Sequence, residues 1–317
     1  MHFIDLHENQ IYIRLAVTDN RDLKLLHFSA LPLREEDLVA EAIPEGFPFL
    51  SINLSGFDRP YERHGNKYIV TAPGYRMKYL SHSDERNEYG RPITFHTKDE
   101  ETGVTADSFW QFYDGLPVIR TWHTVTNNGT EAQTLEYIAN FHYEGIEKEG
   151  SLSRDEKLKI RIPHNGWQRE LNWKTYTFPE LGMELVQEPS IQRSSTHLHI
   201  SNTGNWSAKE YLPMAYLENT EVQTGIFWEI DHNGSWHWEI GDQNGHFYLA
   251  LGGPNELYSH WFKNLKPGEH FTTVPAAVGV TGTGFDAEMG TLTEYRRQIR
   301  SKNQDNEKLT VLLKAYR

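Results

Sequence analysis

Apolar and polar residues alternate with a period of two along much of the chain. Ile11, Ile13, Leu15 and Val17 form one such run, and Leu158, Ile160 and Ile162 form another, alternating with Lys157, Lys159 and Arg161. Successive side chains of a strand point to opposite faces, so this pattern predicts half-buried antiparallel strands, one face inward and one in water. The segment from Tyr75 to Leu80 reads the same way. Asn128-Gly129, Asn233-Gly234 and Asn244-Gly245 predict tight turns, because Asn-Gly tolerates the positive φ values that two-residue hairpins need. On that basis Gly225 to Gly253 reads as a meander, GIFWEID, SWHWEIGD and HFYLALGG, joined by two turns. Helical spacing is confined to Leu33–Ile43 and to Phe285–Arg300. In the second, Phe285, Met289, Leu292, Tyr295 and Ile299 repeat on one face, Asp286 sits in the first turn, and Arg296, Arg297 and Arg300 crowd the last, an order that complements the helix dipole. Strands separated by polar turns, without helical crossovers, predict an all-β class: a large antiparallel two-sheet sandwich filling most of the chain, with a short helix near the N-terminus and one near the C-terminus.

Composition narrows the chemistry. The 317 residues can bury a large core, and the absence of Cys removes disulfides, thiolate ligands and a cysteine nucleophile. A net charge of −13 argues against a nucleic-acid partner, whose affinity comes from clustered Lys and Arg on phosphates. The sequence has neither a basic leader followed by an apolar stretch nor about 18 consecutive apolar residues, so the expectation is a cytoplasmic protein with no membrane partner. Sequons at Asn53, Asn128, Asn205 and Asn233 are read as turn chemistry.

Candidate chemistry begins with 15 Phe, 16 Tyr and 9 Trp. Indole rings stack on the apolar faces of sugars, but they also fill the space between two sheets. Trp236 and Trp238 share one strand face, which favours packing. His197 and His199 also share a face, yet two ligands fall short of the three or four that a zinc site uses, and no metal or cofactor is assigned. The G-x-S-x-G, Walker, H-E-x-x-H and dinucleotide motifs are all absent from the sequence. Its 44 acidic residues offer many carboxylate pairs whose separations a sequence does not give. The densest polar cluster, His82 to Arg91, reads as an ion-paired solvated loop unless the fold shelters it.

That cluster carries a family resemblance. KYLSHSDERNEYGRP, from Lys78 to Pro92, resembles the R-x-x-Y-x-x-H-x-D-x-R-N-E-Y-G segment of the α-galactosidases of glycoside hydrolase family 36. Further matches follow in order: Leu116 to Arg120 with Thr126 to Gly129, Trp228 to Ile230, Trp236 to Ile240, Gly252 to Pro254, Trp261, Leu265 to Glu269, Phe271 to Pro275, and Gly284 to Asp286, then the Tyr295-Arg296-Arg297 helix. The resemblance covers about residues 20 to 309. It implies a β-supersandwich over residues 1–284, the family's N-terminal domain, with residues 285–317 forming a helix and a linker toward a (β/α)₈ barrel.

The family's barrel carries two catalytic aspartates, in a K-W-D and an S-D motif. This sequence has no Trp-Asp, and Ser83-Asp84 belongs to the sandwich segment. A retaining glycosidase needs two carboxyl groups about 5–5.5 Å apart, so the resemblance implies a truncated, non-catalytic domain with a structural and assembly role, and no catalytic residue is assigned. Family oligomers bring one subunit's sandwich to a neighbour's active-site mouth. The matching loop here, Gly56 to Lys67, places Asp58 where it would bond a substrate hydroxyl in trans, unless it forms an Asx-turn. The implied partners are α-galactosides of the raffinose type, met through an associated barrel, and other copies of the chain in a homo-oligomer. Two alternatives stand beside this reading: a sugar-active supersandwich enzyme like the aldose epimerases, using His and Glu for proton exchange, and a galactose-binding module that uses exposed Trp.

Overall fold

The computed structural model describes residues 1–34, 48–57, 67–69, 71–183, 196–243, 246–282, 284–301, 303, 304 and 308. The Leu33–Ile43 helix expected from the sequence, the Asn244-Gly245 turn and Asp58 all fall wholly or mostly outside these residues.

Alternation does produce strands. Ile11–Val17 buries Ile11, Ile13, Leu15 and Val17, and Leu158–His164 buries Leu158, Ile160 and Ile162 while Lys159 faces solvent. The strands build three antiparallel sheets. A 10-stranded sheet runs in the order Asn172–Thr177, Leu158–His164, Met214–Asn219, Thr224–Ile230, Ala276–Thr281, Leu116–Asn127, Val104–Tyr113, Gly90–Asp99 and Met77–Asp84, with His270–Thr272 beside Leu116–Asn127. A 6-stranded sheet runs His197–Asn202, Trp236–Gln243, His246–Gly252, Gln133–Glu144 and Lys263–Leu265, with Ile52–Leu54 also on Gln133–Glu144. His2–Glu8, Ile11–Val17 and Leu23–Ser29 form a 3-stranded sheet. The two larger sheets pack face to face, and aromatic residues including Trp110, Trp228, Trp236 and Trp238 fill the core between them. Trp228 of the large sheet meets Trp238 of the small one edge to face at 5.2 Å, both fully buried.

The expected meander is corrected here. Thr224–Ile230 pairs with Met214–Asn219 and Ala276–Thr281, whereas Trp236–Gln243 pairs with His197–Asn202 and His246–Gly252. Residues 231–235 therefore carry the chain from one sheet to the other. Trp228, Trp236 and Trp238 all belong to one apolar core, and each strand buries its aromatic face only if it lies in the sheet opposite its neighbour in sequence. Only the second half of the meander, Trp236–Gln243 with His246–Gly252, is a hairpin. Positive φ values are absent at Asn128-Gly129 and Asn233-Gly234, and appear at Asn9 (49°) and Gln10 (70°), the two-residue turn between the first two strands. Asn53, read as turn chemistry, lies buried in a strand and donates from Nδ2 to Glu136 Oε2 at 2.8 Å. Tyr75 ends up in a short helix, Ala72–Arg76, with Pro73 in its first turn and Thr71 as its cap; the strand starts at Met77.

The C-terminal helix, Phe285–Ile299, forms where predicted. It lays Leu292 and Tyr295, with Phe285, Met289 and Ile299, on the outer face of the large sheet against Tyr113, Val118, Met214, Tyr216 and Phe227. Arg296 forks onto Glu229, and Tyr295 Oη donates to Asp231 Oδ2 at 2.7 Å.

Candidate functional site: a histidine and carboxylate cluster on the smaller sheet

The strand Trp236–Gln243 is buried on both faces. Trp236, Trp238 and Ile240 point into the core, so His237, Glu239 and Gly241 point out of the sandwich. Register then lines up a polar row across the sheet, His199 beside Glu239 beside Ala250 beside His142. Next to it His197, Gly241, Tyr248 and Glu144 form a second row.

Glu239 is the centre of the cluster and has no exposed surface. His237 Nε2 donates to its Oε2 at 3.0 Å, and Tyr248 Oη donates to its Oε1 at 2.7 Å. Ser201 Oγ lies 2.6 Å from the other ring nitrogen of His237. Burial works against the ionised carboxylate, but the imidazole of His237, the charge of His197 and the Tyr248 phenol outweigh it and hold Glu239 below the usual carboxylate range. His142, bonded to Ser51, is pushed by burial down to about 3, against the opposing pull of Glu239. Gly241 makes room for Tyr248: a Cβ there would lie 2.4 Å from the phenol oxygen.

Aromatic rings cover the cluster. Tyr68 stacks on Tyr137 at 4.7 Å and 9°, accepts from the Leu257 amide and donates to Glu256 Oε2 at 3.2 Å. Tyr258 stacks on His237 at 4.6 Å and on His199 at 4.4 Å, and its hydroxyl lies 3.0 Å from His197 Nε2. His199 is the most exposed member, with His197 and Tyr258 part-buried. Burial raises the phenols of Tyr68, Tyr137 and Tyr258, with Glu256 or Glu239 adding to the effect, so all three stay protonated.

Chemically, this is a carboxylate and imidazole pair of the kind that exchanges protons, with its oxygens already occupied by internal donors. His197 and His199 do share a face as predicted, but they stack on each other at 4.8 Å. Among the described residues no group of three or more His, Asp or Glu is arranged to hold a metal ion. Sequence reasoning missed Glu239, His237 and Tyr248. The available signal was the W-H-W-E alternation itself, in which the polar face was assumed to be wet.

The His82–Arg91 cluster is solvated. Arg91 forks onto Asp84 and also reaches Glu8, while Arg86, 59% exposed, bridges Glu8 and Asp114. Asn87 caps the turn at Tyr89 and Gly90. The loop therefore lacks the shelter a functional reading required. Asp58, the one candidate substrate-binding residue, lies outside the described residues. Several other buried carboxylates are engaged, Asp99 with Arg76, Asp242 with Arg154, Asp231 with Arg120, and Glu147 with His246, whereas Glu288 has no hydrogen-bond partner among the described residues. No described helix is long and apolar enough to cross a membrane.

No family model matches the sequence, and no curated protein matches it. Solved structures do match the fold. The glycoside hydrolase family 36 α-galactosidase AgaA from Geobacillus stearothermophilus superposes with TM-score 0.66 at 12% identity, over 89% of this chain and 41% of that one. An α-galactosidase from Lactobacillus brevis gives TM-score 0.69 at 12% identity, over 93% and 42%. The galactosidase domain of an α-galactosidase–sucrose kinase gives 0.63 at 13%, over 89% and 41%. The chain thus spans about two-fifths of the length of these enzymes, consistent with an N-terminal domain, and shares with that part of the family 36 α-galactosidases an all-β, antiparallel sandwich fold.

Proposed function

We propose that this chain is a non-catalytic sandwich domain of an α-galactosidase-like glycoside hydrolase. In this reading it shapes and assembles a galactoside site whose reactive carboxylates reside elsewhere, with Asp58 reaching substrate in trans. The observation that carries the proposal is the state of Glu239. The carboxylate most suited to acid–base work is fully buried, with both oxygens accepting from His237 and Tyr248. A general base has to come within hydrogen-bond reach of the proton it takes, and here a substrate would first have to displace two internal donors. The likeness to about two-fifths of the family 36 enzymes supports the same reading. The test is release of nitrophenol from an aryl α-galactoside by the purified chain, where no turnover above buffer is expected.

A second reading rests on one specific observation, the solvent contact that His199 keeps beside Glu239 and His237. If the aromatic cover opened, an aldose epimerase-like exchange of protons with a sugar's ring and anomeric oxygens would be available to His and Glu. Polarimetry separates the two: galactose mutarotation catalysed by the chain and abolished by Glu239→Gln favours the second reading, and an uncatalysed rate favours the first.

A further inference from the structure

We propose that a cleft at the end of the large sheet, between residues 164–176 and 210–211, binds a neutral mono- or disaccharide. Its volume is about 440 Å³, within the range of small-ligand sites. The floor is aromatic: the His164 and Tyr211 rings lie 5.0 Å apart, and His164 Nε2 lies 2.8 Å from Tyr176 Oη. The walls are fixed by the backbone. His164 and Tyr211 form a β-bridge, the Asn165 amide donates to Glu210 O at 2.7 Å, and Asn165 Oδ1 accepts from the Leu171 amide at 3.2 Å. Such prior fixing lowers the entropic cost of binding.

Four exposed side chains line this floor, Arg169, Asn172, Lys174 and Glu210, and none makes a side-chain hydrogen bond or ion pair within the described residues. Their chemistry selects the ligand. An apolar molecule would desolvate all four without offering partners. A phosphate would meet the Glu210 carboxylate as well as the two cations. A pyranose offers hydroxyls that both donate and accept, and its polarised C–H face suits the negative faces of Tyr211 and Tyr176. Outside this lining, two indoles on the segments adjacent in sequence are exposed, Trp167 at 84% and Trp206 at 63%, far barer than this residue usually is. The site does not depend on the scaffold reading above, since it concerns binding and involves no reaction.

Saturation-transfer NMR on the full chain tests it, with methyl α-galactopyranoside, methyl β-glucopyranoside, sucrose and inorganic phosphate as separate probes. Transfer to at least one saccharide is expected, weakened on the order of tenfold in Glu210→Gln and in Lys174→Met, both surface changes whose melting curves should match the parent. Tyr211→Ala should abolish transfer. Absence of transfer from every saccharide at tens of millimolar, displacement of saccharide by phosphate, or affinity unchanged in the two surface variants would each overturn the assignment.

Discussion

Glu288 shows how a single residue can set the acid–base behaviour of the fold. It sits in the first turn of Phe285–Ile299 with no exposed surface, and neither carboxyl oxygen has a hydrogen-bond partner among the described residues. Burial, with Glu218 nearby, pushes it up to about 10. The folded state therefore holds a proton that the unfolded chain releases near pH 4.5, and stability falls as pH rises from there toward 10. At pH 7 the cost is about 3 kcal/mol, set by protonating a carboxyl some two and a half pH units above its ordinary titration. Glu288→Gln is expected to be more stable than the parent by about that amount at pH 7 and equal to it near pH 4, as read from urea midpoints. His123 and His142 act in the opposite sense. Burial pushes them down to about 4 and about 3, so their contribution is complete above pH 6.5 and is lost as pH falls, about 2 kcal/mol each by pH 5. In the parent protein the Glu288 trend, about 2–3 kcal/mol between pH 7 and 5, offsets only part of that loss. In the Glu288→Gln background the same acidification is expected to cost about 4 kcal/mol, and equal slopes in the two proteins would contradict these assignments.

Strands were legible in the sequence even where both faces are dry, as in Trp236–Gln243, but the sheet that each joins was not. Ile11–Val17 and Leu158–His164 follow their alternation, and Phe285–Ile299 follows its helical spacing. The meander failed because local pattern does not encode which sheet a strand joins, a choice made by the packing of Trp228 against Trp238. The candidate site was hidden because His237 and Glu239 occupy the positions of a solvent face, which among the described residues the Tyr68–Tyr137 pair and the helix Glu256–Ser259 cover. Gly241 couples the two levels. Gly241→Ala would place a methyl against the Tyr248 phenol, lift Tyr248 from Glu239 and destabilise by about 1–3 kcal/mol. A denaturation midpoint unchanged from the parent would show that Tyr248 is free to move aside.

At the scale of the molecule, the sandwich fold is shared with solved family 36 α-galactosidases, although identity with them is only 12–14%. A sandwich core tolerates such divergence because many apolar residues satisfy the same alternation. The polar row on the smaller sheet is more demanding, since removing one partner leaves another buried charge uncompensated. Glu239, His237 and Tyr248 accordingly form a closed hydrogen-bonded network. The most direct test is the hydrolysis of 4-nitrophenyl α-galactoside by the purified 317-residue chain. The expected result is a rate equal to that of buffer; sustained turnover that disappears in Glu239→Gln would contradict it and make the buried cluster a working active site.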